Sequence, residues 1–370
     1  MTPGEGVGHT VSEPEGAAGL STGVVVSRRR RSLRRLIITR AILFGLAAVG
    51  FYLVWPELLK LFSAWPQLTT LDQVWFAAVA VAEAASFVSL WGLTRVALGE
   101  KSWFAVGTAQ LGSTAVSRVM PGGAAAGGAV QYKMLVEAGG DPSRVATGLT
   151  ATNLLLLATL VALPVLSLPA ILSGVQVDRG LVQAAIVGGL VFLLTAVVGG
   201  LLLTTERPLR AVARVVQRVL NRLRRHSPPM DDLPERLVEQ RDLIRGVLGR
   251  RWKAAVLYAV GNKLLDFGAL LAALAAVGST PRPSLVLLAY VVAAVLGMIP
   301  ITPGGLGFVE AGLVATLGLA GVSGGDAVLS VLAYRLVAFW APLPTGGIAY
   351  LLFRRRFGQP SASPSVSSSR

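Results

Sequence analysis

The sequence has no cysteine and, among 370 residues, only two histidines, His9 and His226. Disulfides, thiol catalysis and cysteine metal centres are therefore excluded. Two lone histidines in separate polar segments make neither a metal site nor a catalytic triad. Charge is also scarce: Asp, Glu, Lys and Arg make up 14% of the chain, where a soluble domain carries about 25%. Acids are the scarcer sign, 19 against 34 Lys and Arg, for a net charge of +15. The basic excess lacks the aromatic interleaving and recognition motifs of a nucleic-acid binder. No glycine fingerprint opens a strand–helix unit, so nucleotide binding is not expected. No cofactor, no metal and no enzymatic constellation is expected.

What is present is apolar: 53% of residues are hydrophobic and mean hydropathy is +0.65. Runs of the length needed to cross a bilayer, about 20 residues, lie at about Leu36–Trp55, Gln73–Thr94, Val145–Leu168, Leu181–Leu203, Ala254–Val277 and Ala327–Phe353. Shorter apolar stretches lie at Trp103–Val119, from there to Ala138, at Ser284–Pro300 and at Phe308–Ala320. The expected fold is an all-α integral membrane protein with about six full transmembrane helices. Residues 1–27 read as a disordered tail, 28–353 as the membrane domain and 354–370 as a second disordered tail. The first span follows Arg28–Arg31, Arg34 and Arg35, but it is too long for a signal peptide and ends at Trp55-Pro56-Glu57, not at a small-residue cleavage site.

Basic residues set the expected orientation. The N-terminal arginines, the 95–101 loop, the 204–253 segment (thirteen Lys and Arg against six acids) and Arg354–Arg356 are placed in the cytoplasm, with both termini. Arg210, Arg214, Arg218 and Arg222 recur every fourth residue, which predicts a basic amphipathic helix on an anionic leaflet, or a simple topology anchor. The orientation closes only if 103–138 and 284–320 are re-entrant hairpins; the rival is that each short stretch crosses fully. Both bend at Pro-Gly-Gly, Pro121-Gly122-Gly123 and Pro303-Gly304-Gly305. Two such broken segments in corresponding places and of opposite orientation are the sequence sign of an inverted repeat.

The string Ile299-Pro300-Ile301-Thr302-Pro303-Gly304-Gly305-Leu306-Gly307-Phe308-Val309-Glu310 resembles the transmembrane region of the lysylphosphatidylglycerol synthases, the bacterial multiple peptide resistance factors, and their stand-alone relatives. Gly321-Val322-Ser323, Ala333-Tyr334-Arg335-Leu336 and Phe339-Trp340-Ala341-Pro342-Leu343-Pro344 extend the likeness, with a weaker match around Tyr132-Lys133. It implies a bacterial inner-membrane protein that moves or presents lipids. The synthases carry an aminoacyl-transferase domain after the membrane part; here a Ser/Pro tail follows, so lysyl transfer is not expected.

Ionisable residues inside spans are costly and are functional candidates by default. They are Glu83, Arg118, Lys133, Glu137, Lys263, Asp266, Glu310 and Arg335. Glycine lets backbone approach a ligand, and a helix starting after such a bend directs its N–H groups at an anion. Arg118, Pro121, Gly122, Gly123, Lys133, Pro303, Gly304, Gly305, Gly307, Glu310 and Arg335 are therefore candidates for binding a polar headgroup. The competing readings are a glycine hairpin needed only for packing, and Arg118 and Lys133 snorkelling to the surface. Glu310 is the expected partner of Arg335. Lys263 and Asp266, three residues apart, suggest a local ion pair. Glu83 and Asp266 are candidates for carrying a proton. The expected function is translocation of an anionic or glycosylated lipid between leaflets. The alternatives are a proton-coupled transporter of a small solute and a scaffold for a lipid-modifying enzyme. The expected partners are anionic membrane phospholipids, with self-association left open.

Overall fold

The computed structural model describes Pro66, residues 71–100, 102–120, 123–163, Leu190, 205–223, Asp232, Pro234, Glu235, Val238, Asp242, Gly246, 249–298 and 302–358. Its regular secondary structure there is helical throughout: α1 Gln73–Leu98, α2 Trp103–Val119, α3 Gly123–Glu137, α4 Pro142–Ala162, α5 Glu206–Leu223, α6 Trp252–Ala276, α7 Pro283–Met298, α8 Phe308–Leu319, α9 Gly324–Arg335 and α10 Pro342–Phe357. A π-helical turn, Leu336–Trp340, joins α9 to α10. Helices α1, α4, α6 and the 34-residue rod Gly324–Phe357 are long and apolar enough to cross a membrane. The chain is an all-α membrane protein. The expected spans at Leu36–Trp55 and Leu181–Leu203 (Leu190 apart) and the tail at 1–27 lie outside the described residues, as do 359–370.

Helix starts follow local capping chemistry. Asp72 Oδ1 accepts from the N–H of Val74 at 2.8 Å, Ser102 Oγ from Ala105 at 3.1 Å and Asp141 Oδ1 from Arg144 at 2.9 Å. Each satisfies a first-turn donor that has no partner within its helix. Helix α4 thus begins before the expected Val145, because Asp141 caps it and Pro142 needs no donor at the first helical position. Helix α10 runs past the expected end at Phe353, through Arg354–Arg356, because Phe357 packs on Phe353 and Phe104 with ring centroids at 4.8 and 6.3 Å.

Helices α1 and α6 form the central antiparallel pair. Asp72 N–H donates to Ala276 O at 3.2 Å, and at the other end a Cβ on Gly92 would lie 2.5 Å from Tyr258. Between them Asn262 Nδ2 donates to Ser86 O (3.1 Å) and Oγ (2.8 Å), while Ser86 Oγ donates back to Asn262 O. Lipid tails give apolar helices no reason to leave them for one another, so small residues and interhelical hydrogen bonds of this kind hold such pairs together. Valines and leucines such as Val74, Val81 and Leu257 face outward, as lipid contact requires.

The short helices pair as two hairpins. In α2–α3, Gly123 packs on Ser117, Gly127 on Ser113, and Gln131 Nε2 donates to Gln110 Oε1 at 2.7 Å. In α7–α8, Gly305 lies against Gly297, and a Cβ on Gly312 would lie 2.3 Å from Leu296. At 1.5 Å per residue these helices measure about 18–26 Å, short of a hydrocarbon core of about 30 Å. The order long–short–short–long occurs twice, in α1–α4 and in α6 to α10, and α1 and α6 run in opposite directions.

Basic side chains gather at one end of the bundle. Arg356 lies 4.9 Å over the Phe104 ring, and Arg95 lies 4.2 Å over Trp103. A cleft of about 930 Å³ at this end is lined by Arg144, Arg210 and Arg251 with Glu235 and Asp242. The expected amphipathic segment is helix α5, where Glu206 pairs with Arg210 at 2.9 Å.

Candidate functional site

The two hairpins meet where α2 ends. Gly304, at φ 60°, sits so tightly that a Cβ would fall 2.5 Å from Phe339 Cε2 and 3.4 Å from Arg118 Cα. Gly305 and Gly307 also have positive φ, 72° and 76°, a region open to glycine at little cost. These glycines let the backbone turn under α8 and lie against the side chains of α2 and the π turn. Helix α8 starts at Gly307 with no side-chain cap, so its first N–H groups remain available in the bend.

Arg335, at the end of α9, reaches across to α8. Its Nε donates to Glu310 Oε1 at 2.6 Å, its Nη2 lies 3.5 Å from Gly304 O, and the two side chains are only 12% and 16% exposed. The second Glu310 oxygen is buried with no hydrogen-bond partner. Arg118 turns inward, not toward the surface: it donates to the carbonyls of Phe339 and, at 2.6 Å, Ala338. Proline explains the free Ala338 carbonyl: in an α-register it would need the N–H of residue 342, which is proline and has no N–H. The chain opens into a π turn, with Ala341 N–H donating to Leu336 O at 3.0 Å, and Arg118 donates to both carbonyls. Its guanidinium also lies 4.9 Å from the Phe339 ring, and that of Arg335 lies 4.4 Å from the same ring. One phenyl ring thus faces two cations.

A second polar group lies deeper between the long helices. Glu83, 5% exposed, lies opposite Asp266 in the antiparallel α1–α6 register set by Asp72–Ala276 and Ser86–Asn262. Asp266 accepts from Tyr290 (Oδ2, 2.7 Å) and Tyr334 (Oδ1, 2.6 Å). The expected local pair of Lys263 with Asp266 gives way to this arrangement, in which two neighbouring helices bring tyrosine hydroxyls to both oxygens of Asp266. Lys133 is placed away from the bend, 76% exposed and 3.7 Å from Glu137 on the next turn. Pro121 and Gly122 fall outside the described residues, Gly123 is a packing contact, and Pro303 opens a 3₁₀ turn.

Sequence reasoning missed Phe339, Tyr290 and Tyr334. Signals for them existed: Pro342 orphans the Ala338 carbonyl one turn earlier, beside Phe339, and a tyrosine hydroxyl in an apolar span requires a partner. No group of metal ligands occurs among the described residues.

Broken short helices, a bend with uncapped N–H groups and charged side chains paired between helices define a polytopic membrane protein with a polar site in its interior. Residues 41–346 match the family model described as the lysylphosphatidylglycerol synthase TM region, and the chain belongs to that family. Membership makes it a membrane protein of lipid-related function, in a family defined by the non-catalytic membrane part. No curated protein matches the chain.

Proposed function

We propose that the protein moves an anionic or glycosylated phospholipid between leaflets, with the polar headgroup passing the junction of the two Pro-Gly-Gly hairpins. The observation that carries this reading is the pair of guanidiniums, Arg118 and Arg335, held against Phe339 beside the uncapped start of α8. A guanidinium has five N–H donors, and the contacts above use only part of each set. Those spare donors, the α8 N–H groups and the helix dipole suit a phosphate. The unpartnered Glu310 oxygen suits a hydroxyl or ammonium group on the same headgroup. Irregular backbone at membrane depth is tolerated where it is enclosed by protein or lines a polar cavity, and short hairpins that return to their own side meet that condition. The basic end of the bundle is the cytoplasmic side by the distribution of Lys and Arg, and the cleft there gathers anionic headgroups. Family membership in a lipid-related group adds support.

The test is reconstitution in liposomes carrying head-labelled phospholipids, following loss of label accessibility to an external quencher. Wild-type protein should equilibrate an anionic lipid faster than empty liposomes, and Glu310→Gln and Arg335→Ala, at matched insertion and folding, should abolish the gain. No acceleration with any lipid class, including a native lipid extract, would overturn the reading.

A further inference from the structure

We propose that Glu83 and Asp266 form a proton-binding site at the seam between the two halves, and that its proton travels with the anionic headgroup. The Asp72–Ala276 and Ser86–Asn262 contacts set an antiparallel register that brings Glu83 on α1 opposite Asp266 on α6. Two carboxyls facing each other in a buried seam repel strongly if both are ionised, so the pair shares one proton. Its position follows from the donors. Tyr290 and Tyr334 both donate to Asp266, which furnishes that carboxylate as an acceptor on both oxygens. The proton is therefore carried by Glu83. Glu83 lies eleven residues into the 26-residue α1, about 16 Å along a helix of about 39 Å, so this proton sits near mid-depth.

The site is wired to its surroundings. Glu83 belongs to α1, Asp266 to α6, Tyr290 to α7 and Tyr334 to α9, so one proton sits among four helices drawn from both halves. The charged groups whose fields reach it are Lys263 on α6 and Arg118 on α2; Arg335 on α9 follows Tyr334 directly and is paired with Glu310 on α8. With the proton bound, three cations (Lys263, Arg118, Arg335) face two anions (Asp266, Glu310), leaving one excess positive charge. Without it the group is neutral. A headgroup anion between Arg118 and Arg335 is therefore held more tightly when the proton is present, and by linkage the anion raises proton affinity equally. Loss of the proton would set two carboxylates against each other across the α1–α6 seam, a like-charge contact the helices relieve by separating. This coupling rests on the proposed headgroup site; the proton site itself does not.

The experiment has two arms on the full chain. In nanodiscs, infrared spectroscopy reads the C=O stretch of protonated carboxylic acid at neutral pH. A band lost in Glu83→Gln and altered in Asp266→Asn and Tyr334→Phe is expected. A spectrum without a band removed by Glu83→Gln overturns the proton site. In liposomes with a lumen one pH unit more alkaline than outside, labelled anionic lipid should accumulate in the inner leaflet up to about tenfold, the limit for one proton per lipid. In Glu83→Gln the ratio should stay at one. Lipid movement indifferent to the gradient overturns the coupling while leaving translocation intact. No lipid movement at all overturns the headgroup site and the coupling with it, and the infrared band then decides the proton site alone.

Discussion

The two hairpins share a Pro-Gly-Gly bend but put their small residues and charges to different use. In α2–α3 the glycines are packing contacts: a Cβ on Gly123 would fall 1.8 Å from Ser117 O, and one on Gly127 2.7 Å from Ser113 O. Its inward-turned charge, Arg118, is consumed by the backbone carbonyls of Ala338 and Phe339. In α7–α8 the glycines adopt positive φ and bring the bend against Phe339 and Arg118. Its charge, Glu310, keeps one oxygen unpartnered. A shared motif therefore marks where a helix is broken, while the neighbouring side chains decide whether the break is a joint or a site. The first hairpin is mainly a joint, and the second faces the polar interior.

The largest effect should come from the second hairpin. Arg335→Ala leaves Glu310 buried and unpaired, which typically costs about 3–5 kcal/mol. Unfolding in detergent micelles should show that loss, and an Arg335→Met, Glu310→Leu double variant should recover most of it. Equal instability of single and double variants would mean that the pair holds nothing beyond its packing.

In the first hairpin the cost is steric. Gly123→Ala forces Cβ into a backbone carbonyl and should destabilise by about 3 kcal/mol, the upper part of the overpacking range. Gly128→Ala, one turn on, meets nothing within 4 Å and should stabilise by about 0.5–1 kcal/mol through helix propensity. Comparable effects at the two positions, measured by thermal unfolding, would remove the packing role assigned to this hairpin.

At the α1–α6 seam, Asn262→Ala removes two hydrogen bonds to Ser86. Interhelical bonds in membranes average about 0.6 kcal/mol and reach about 1.7, so a loss near 1 kcal/mol is expected. A Ser86→Ala, Asn262→Ala cycle checks that the two residues are coupled.

How much of this was legible in the sequence depended on the range of the interaction. Helices α1, α2, α6, α7 and α8 begin and end within a few residues of the apolar runs, because a run bounded by Asp, Ser, Pro or Gly signals its own ends. Arg335 with Glu310 was legible because each is costly alone and few opposite charges lay nearby. Asp266 was not: its local neighbour Lys263 offered a partner three residues away, while the donors it uses stand 24 and 68 residues later. Glu83 looked solitary in its span for the same reason. The turn of Arg118 toward the protein was hidden because snorkelling and inward pairing use the same side chain, and only Pro342, which leaves the Ala338 carbonyl without its helical donor, favours the second.

The smallest effect distinguishes the helices that follow the two hairpins. Helix α4, after the first, is capped by Asp141; α9, after the second, is capped by Ser323, whose Oγ accepts from Asp326 N–H at 3.2 Å. The Arg144 N–H and the Ser143 hydroxyl, donating to Asp141, hold its carboxyl below the ordinary aspartate range. A depressed carboxyl stabilises the folded state fully above its unfolded value, about 3.9, and loses that contribution as pH falls through the lower folded value. A serine cap has no such titration. Acidification from pH 6 to pH 3 should therefore lower hydrogen-exchange protection of the Arg144 amide relative to that of Asp326, and Asp141→Ser should remove the difference. Equal loss at both caps would show that the starts of the two helices fray for a common reason, and the asymmetry between the halves would then stop at the hairpins themselves.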